Sequence, residues 1–234
     1  IWSKEMNRLF AIICIGFIVV LSGCTSNPQK PVKLSKKYWD KNKEKIGIVL
    51  ATTPEMDTHI VGANCLLCMM TAAAVNSTLT DHMKTLSPDS LPELKTQIQE
   101  IIKAKGGNPV VIDRDINVES LPENDSDGAN ASKRDFSMLA TEFGVSKMLV
   151  IDMDLLGAYR TYASYVPTSD PVGAVQGKAY IVNLSDNTYE WYLPLNIKVD
   201  AGDNWDEPPS FPGVTNAFYT ALEQGKDAVI SDLR

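Results

Sequence analysis

Residues 175–184 (VQGKAYIVNL) and 189–199 (YEWYLPLNIKV) are joined by the four residues SDNT at 185–188. Apolar and polar side chains alternate along both segments, and a period of two residues is typical of strands that bury one face. Asp and Asn between two such segments favour a turn. The stretch therefore predicts an antiparallel β-hairpin in the second half of the domain.

Upstream of the hairpin, three apolar segments rich in β-branched residues predict buried strands at 45–52, 108–113 and 145–156. Helical patterns lie between and after them, at 64–86, from about 87 to 107, from 132 to 144, and at 215–233. Helices that connect strands imply parallel pairing, whereas the hairpin implies antiparallel pairing. The predicted fold is a single α/β (α+β) domain with a mixed parallel/antiparallel sheet, element order β-α-α-β-α-β-β-β-α, and helices packed on the sheet.

The N-terminal segment has the pattern of a bacterial signal peptide. Residues 1–5 precede the first methionine and are interpreted as non-native, and a signal peptide is predicted over 6–23. Its apolar stretch, 9–21, is shorter than the about 20 residues of a membrane-spanning helix. The sequence Leu21-Ser22-Gly23-Cys24 resembles the lipobox of bacterial lipoproteins. That resemblance implies cleavage before Cys24 and lipid, including an acyl chain such as palmitate, on the new N-terminal residue.

The same resemblance bears on location. Thr25 follows the cysteine, where Asp would favour retention in the inner membrane, so we expect the periplasmic face of the outer membrane. Residues 24–45 are polar and Lys-rich, which predicts a lipidated N-terminus with a flexible tether, and 46–234 form the domain. Tyr38 and Trp39 are expected to dock on the domain edge.

The charge balance limits the class of partner. The chain carries −7, and about −8 without the leader that holds Lys4, Glu5 and Arg8. An acidic chain lacks the basic patch that nucleic-acid binding requires, and it lacks a polybasic segment for anionic lipid. We therefore expect contact with the membrane through the lipid, contact with envelope proteins or with further copies of the chain, and none with nucleic acid.

The domain itself is similar to the N-terminal domain of TolB and to CsgG-like periplasmic lipoproteins. The similarity lies in the element order, in the helix-to-strand turn at 142–150 (EFGVSKMLV), and in the hairpin segment 177–184 (GKAYIVNL) followed by Trp191. It implies a non-enzymatic envelope role in assembly, secretion or transport.

Cys65 and Cys68 remain once Cys14 leaves with the leader and Cys24 is lipidated. Two cysteines at this spacing near a helix start are compatible with a redox motif, because a helix N-terminus favours the thiolate. The Leu66-Leu67 pair between them is more typical of a packed helix. A redox pair, a local disulfide and two buried thiols all stay open from sequence alone.

No pattern in the chain predicts catalysis. The nucleophile elbow, the Walker A loop and the dinucleotide-binding glycine motif are all missing from the sequence. His59 and His82 do not have zinc-finger spacing with the two cysteines, so neither a metal nor a cofactor is expected. Asp152 and Asp154 alternate onto one strand face and are interpreted as solvated. We expect a protein that is not an enzyme.

Tyr159, Tyr162 and Tyr165 fall in the predicted connection between two strands. Tyrosine is common at protein interfaces because it combines rigid apolar area with a hydroxyl. The segment therefore indicates either a partner-binding loop or a lid on the open sheet face. The predicted function is a structural, assembly or transport accessory lipoprotein. The alternatives are thiol-redox or metal handling through Cys65 and Cys68, and a transport auxiliary that binds a small molecule or lipid.

Overall fold

A computed structural model describes residues 28–41 and 43–234. The predicted leader and the lipidation site Cys24 lie outside the described residues. The strands are β1 (Lys45–Leu50), β2 (Asp57–Val61), β3 (Asn108–Val111), β4 (Lys147–Ala163), β5 (Val166–Pro167), β6 (Val172–Asn183) and β7 (Thr188–Asp200). The helices are α1 (Tyr38–Lys41), α2 (Leu66–Val75), α3 (Ser77–Met83), α4 (Glu93–Ala104), α5 (Ser137–Phe143) and α6 (Pro212–Leu233), with a 3₁₀ turn at Val118–Ser120.

The strands form one mixed sheet in the order β3-β1-β4-β6-β7. β1 pairs in parallel with β3 and β4, whereas β4, β6 and β7 form an antiparallel meander. β2 pairs in parallel with the second half of β4, and β5 pairs with its end. The predicted α/β fold with a mixed sheet is confirmed. The short strands β2 and β5 were not predicted.

β4 is longer than its sequence pattern indicated. A strand was predicted to end at 156, but β4 continues to Ala163 because β2 pairs with its second half. Gly157 permits that pairing, since a Cβ there would lie 2.1 Å from the carbonyl oxygen of Asp57. Tyr159 and Tyr162 therefore lie within a strand and not in a connection.

The predicted helix over 64–86 is divided at Asn76 into α2 and α3. The Asn76 side-chain amide donates to the Ala72 carbonyl at 2.6 Å. A side chain that bonds to the preceding turn competes with the helical hydrogen bonds, which is why Asn weakens a helix interior. The two halves are consequently free to make different contacts.

The start of α5 also differs from the prediction. A helix was predicted to begin at 132, but α5 begins at Ser137. Asp135 Oδ1 accepts from the Ser137 N–H at 2.9 Å, and Phe136 is fully buried beside it. Asp135 therefore caps the first turn without belonging to the helix.

Each face of the sheet carries its own core. On one face, α3, α4 and α6 pack through Met83, Ile98 and Phe218 against strand residues such as Leu149. On the other face, α5 and the segment 112–121 cover Val150 and neighbouring strand residues. This second cover is shorter than the strands, so part of that face stays open.

Residues 28–41 lie on the domain. Val32 exchanges two backbone hydrogen bonds with Tyr192, at 3.0 and 2.9 Å. Tyr38 and Trp39, which were expected to dock on the domain edge, are buried in the larger core. The folded unit thus includes residues upstream of 46. Among the described residues, no helix has the length and apolarity to cross a membrane.

Candidate docking surface

Helix α2 is apolar and nevertheless exposed. Its sequence, LLCMMTAAAV, has one polar side chain, yet eight of its ten residues are exposed to solvent. Leu66 is 77% exposed and Met70 is 61% exposed. A helix that is apolar on all sides is normally buried. The composition of α2 is therefore that of a buried helix, but no other part of the described chain covers it.

A small core holds α2 against the sheet. Cys68 and Ala72 are its buried residues, and they pack with Ala63 and Tyr162. The structure joins Cys65 and Cys68 in a disulfide with a Cα–Cα separation of 4.9 Å. Cys65 is the N-cap residue, and its sulfur accepts from the Cys68 N–H at 3.0 Å. The disulfide therefore closes the first turn of the exposed helix.

The other end of α2 is fixed by Asn76. This residue is buried, and its Nδ2 donates to the Tyr162 hydroxyl at 2.6 Å. Its Oδ1 accepts from Arg160 Nη1 at 3.0 Å, while Arg160 Nε donates to the Ser169 carbonyl at 3.0 Å. Since satisfied buried polar networks specify one geometry, these bonds hold the helix rigidly on the end of β4.

The tip of the β4–β5 hairpin extends the exposed apolar area, and so does the end of β2. We define the docking surface by its eight large exposed side chains: Val61, Leu66, Leu67, Met69, Met70, Val75, Tyr165 and Val166. These residues are exposed by 46 to 77%, and their summed exposed area is on the order of the about 800 Å² that each partner contributes to a standard interface.

The docking surface also carries no formal charge. Between Asp57 and Asp81 the chain has no Asp, Glu, Lys or Arg, and between Arg160 and Asp170 it has none either. The rest of the chain is strongly acidic. Because the docking surface is uncharged, it can offer a partner apolar contacts but no ion pair.

The three predicted tyrosines separate in the structure. Tyr165 lies on the docking surface, whereas Tyr162 is buried beneath α2. Tyr159 is half-buried elsewhere, with Lys198 Nζ 3.4 Å from its ring centroid. The structure thus brings Cys65, Cys68, Tyr162 and Tyr165 together and leaves Tyr159 apart. The exposed residues of α2 were missed because a buried helix and a docking helix have the same composition.

The other candidate residues have structural partners. His59 Nε2 lies 3.3 Å from the Leu156 carbonyl, and His82 Nε2 lies 2.7 Å from Thr215 Oγ1. Burial lowers the pKa of His82. Within 28–41 and 43–234, no group of three or more His, Cys, Asp or Glu could hold a metal ion. Asp152, interpreted as solvated, is instead buried and paired with Lys178.

Comparison with known proteins gives structural similarities and no sequence match. No family model matches the chain, and no curated protein sequence matches it either. The chain is similar to lipoprotein GNA1162 from Neisseria meningitidis, at 15% identity and a TM-score of 0.26, over 77% of this chain and 99% of that one. A similarity at this level carries no argument about function.

Proposed function

We propose that this protein is a lipid-anchored, non-enzymatic protein of the bacterial envelope that works by binding another protein through the docking surface. The observation that carries the proposal is the exposure of α2, an apolar helix with eight of ten residues in solvent. Exposed apolar area of this size marks interaction sites in soluble proteins. Its rigid attachment to β4 prepares the helix for binding at low entropic cost.

The partner is expected to offer an uncharged, apolar groove that receives α2. Because the helix is exposed on most of its circumference, a flat surface would cover one side and leave the others in water. Insertion of an apolar helix into a groove is a common mode of recognition. Pairing with α2 of a second copy would also cover one side alone, so it fits the exposure less well.

A lipid bilayer fits the charge less well than a protein does. Interfacial helices that bind membranes usually carry Lys or Arg on their polar side, and α2 has no charged residue. The acidic chain is also repelled by anionic lipid. An apolar groove on a protein requires neither basic residues on the helix nor a positively charged chain.

The predicted lipid anchor determines where in the envelope the protein works. The lipobox predicts lipid on Cys24, four residues before Pro28, and such a segment spans at most about 14 Å. The domain would therefore stay close to its membrane, which we take to be the outer membrane with the domain on the periplasmic side. In that place a docking module serves as a structural, assembly or transport accessory component.

Site-specific photo-crosslinking in the native envelope tests the proposal. A photoreactive residue is placed at Met70 on the docking surface, or at Met138 on α5, which is 56% exposed and serves as a matched control. We expect one protein to be captured from position 70 and not from position 138. Its binding to the purified chain should then be lost in the Leu66→Gln/Met70→Gln variant and retained in Met138→Gln.

Three results would contradict the proposal. Crosslinks from position 70 to a second copy of the chain would make the surface a homo-oligomer interface. Crosslinks to lipid, with flotation of the unlipidated protein on neutral vesicles, would make it a membrane contact. Equal capture from both positions would show that the surface has no specific occupant.

A further inference from the structure

A second surface feature lies on the opposite face of the sheet from α6. A cavity of about 820 Å³ opens where the cover of α5 and the 118–134 segment ends. Its floor is formed by residues of β4, β6 and β7, and Pro28 and Gln29 contribute one wall. Cavities of about 300 to 1,000 Å³ are typical of small-molecule sites.

Three tyrosines pack together in this cavity. The ring centroid of Tyr180 lies 5.1 Å from that of Tyr189 and 6.1 Å from that of Tyr192, and the last two rings are 5.0 Å apart. Tyr180 is 1% exposed and forms the base, whereas Tyr189 and Tyr192 are half-buried. The outer two rings are inclined by 55° to each other, so each presents its own partly exposed aromatic face.

The hydroxyl groups of the three tyrosines differ in their hydrogen bonding. Tyr189 donates to Ser132 Oγ at 3.2 Å. Within the part of the chain that the structure describes, the hydroxyls of Tyr180 and Tyr192 make no hydrogen bond, although both residues line the cavity. Among the described residues, Thr58 Oγ1 is the one fully buried side-chain oxygen or nitrogen without a partner, so the Tyr180 hydroxyl is not enclosed and reaches the cavity. Tyr180 consequently has one donor and its acceptor positions available to a molecule in the cavity.

The charged groups of the floor neutralise one another. Lys178 Nζ lies 3.0 Å from Asp152 Oδ2 and 2.7 Å from Asp154 Oδ1. Burial acts to lower the pKa of Lys178, but the hydrogen bond that its ammonium donates to Asp154 and the negative charge of Asp152 outweigh burial and raise the pKa. The ammonium thus keeps its proton. It has one donor left beyond the two carboxylates, and the carboxylates keep free lone pairs.

We propose that this cavity binds a neutral, hydroxylated ring, that is, a saccharide. A sugar ring has flat C–H faces that pack on tyrosine, and hydroxyls around its rim that both donate and accept. The cavity supplies an aromatic face through Tyr192 or Tyr189, and the donors and acceptors through Tyr180, Lys178 and Asp154.

The charges favour a neutral ligand over an ion. Four acidic residues and three basic residues line the cavity: Glu119, Glu123, Asp152, Asp154, Lys133, Arg134 and Lys178. An anion would meet a net negative lining, and a cation that approached Asp152 or Asp154 on the floor would have to displace Lys178. Arg134 is itself paired with Glu119. A neutral polyol leaves each of these pairs intact.

Titration of the full chain in detergent tests the site with defined probes. The neutral probes are N-acetylglucosamine and its trimer, and the charged probes are glucuronate and glucosamine, with binding followed by calorimetry. We expect the neutral trimer to bind more tightly than either ion. Tyr192→Ala should weaken that binding roughly tenfold, as the loss of an aromatic contact implies, whereas Tyr165→Ala should leave it unchanged.

Failure to bind either neutral probe would overturn the proposal, and so would preferential binding of glucuronate or glucosamine. Unchanged affinity in Tyr192→Ala would remove the site from this cavity. Because Tyr165 and Tyr192 lie on different surfaces, loss of the protein partner and loss of saccharide binding are distinguishable in the same pair of variants.

Discussion

Lys178 is the positive partner of the buried carboxylate of Asp152. It lies between Asp152, which is buried, and Asp154, which is exposed. Burial raises the pKa of Asp152, and the positive charge of Lys178 opposes that increase. Removal of one partner from a buried pair leaves an uncompensated charge, which is more costly than the pair itself was favourable.

Lys178→Met is therefore expected to lower the free energy of unfolding by about 3 kcal/mol at pH 7. The folded-state pKa of Asp152 is above its unfolded value, and the substitution raises it further. Because the folded state then binds the proton more tightly, the free energy of unfolding falls as pH rises from the unfolded pKa through the folded pKa. The destabilisation relative to wild type should thus be smaller at pH 4 than at pH 7.

Urea unfolding of both proteins at the two pH values measures this difference. Lys133→Met, which removes an exposed lysine of the same cavity, is the matched control and should change little at either pH. An equal loss at pH 4 and pH 7 for Lys178→Met would mean that Asp152 is not the group left without a partner.

At this scale the sequence predicts that Asp152 and Asp154 share a strand face, but it does not predict the cavity or the burial of Asp152. Asp152 and Asp154 alternate along a strand pattern, so their shared face follows from the period of two. Their pairing with Lys178 depends on the register that places Lys178 opposite Asp152 across β4 and β6. A register between segments 26 residues apart is set by the assembled sheet, and no local pattern encodes it.

Helix α6 and strand β6 approach each other closely at one glycine. A Cβ on Gly173 would lie 2.2 Å from the backbone carbon of Ala217 and 2.2 Å from the nitrogen of Phe218. Gly225, in the same helix, has Val175 Cγ1 as its nearest neighbour at 3.5 Å, which is an ordinary contact. The two glycines therefore have different roles in one helix–sheet interface.

Gly173→Ala should lower the free energy of unfolding by about 3 kcal/mol, because α6 must move away from the sheet to admit the methyl group. Gly225→Ala should instead raise it by up to about 1 kcal/mol, since alanine is the better helix former and has room. Urea unfolding monitored by circular dichroism gives both values. Similar changes in the two variants would show that the close approach at Gly173 does not exist.

Local sequence patterns predict where helices and strands lie in the chain better than they predict which other elements each one packs against. The 175–199 hairpin is found because both strands alternate over their full length, and the structure has β6 and β7 there. β2 is short and half-buried, and its place beside β4 depends on backbone contact at Gly157. For α2 the helix was predicted correctly, but its exposure depends on which surfaces α3, α4 and α6 already cover.

The whole molecule combines an acidic body with one uncharged apolar surface. Like-charge repulsion between acidic bodies keeps such proteins apart at low ionic strength, and salt screens that repulsion. The apolar contact between docking surfaces is not weakened by salt. The isolated protein, without its partner, should therefore lose solubility as salt increases.

The Leu66→Gln/Met70→Gln variant should stay soluble at salt concentrations where the wild type self-associates, as light scattering would show. Its free energy of unfolding should lie within about 0.5 kcal/mol of the wild-type value, because substitutions at exposed positions remove little folded-state packing. Met138→Gln, on α5, should change neither property to a comparable extent. A loss of 2 kcal/mol or more in the double variant would mean that α2 is buried in the folded chain itself, and the docking surface would then be part of the core.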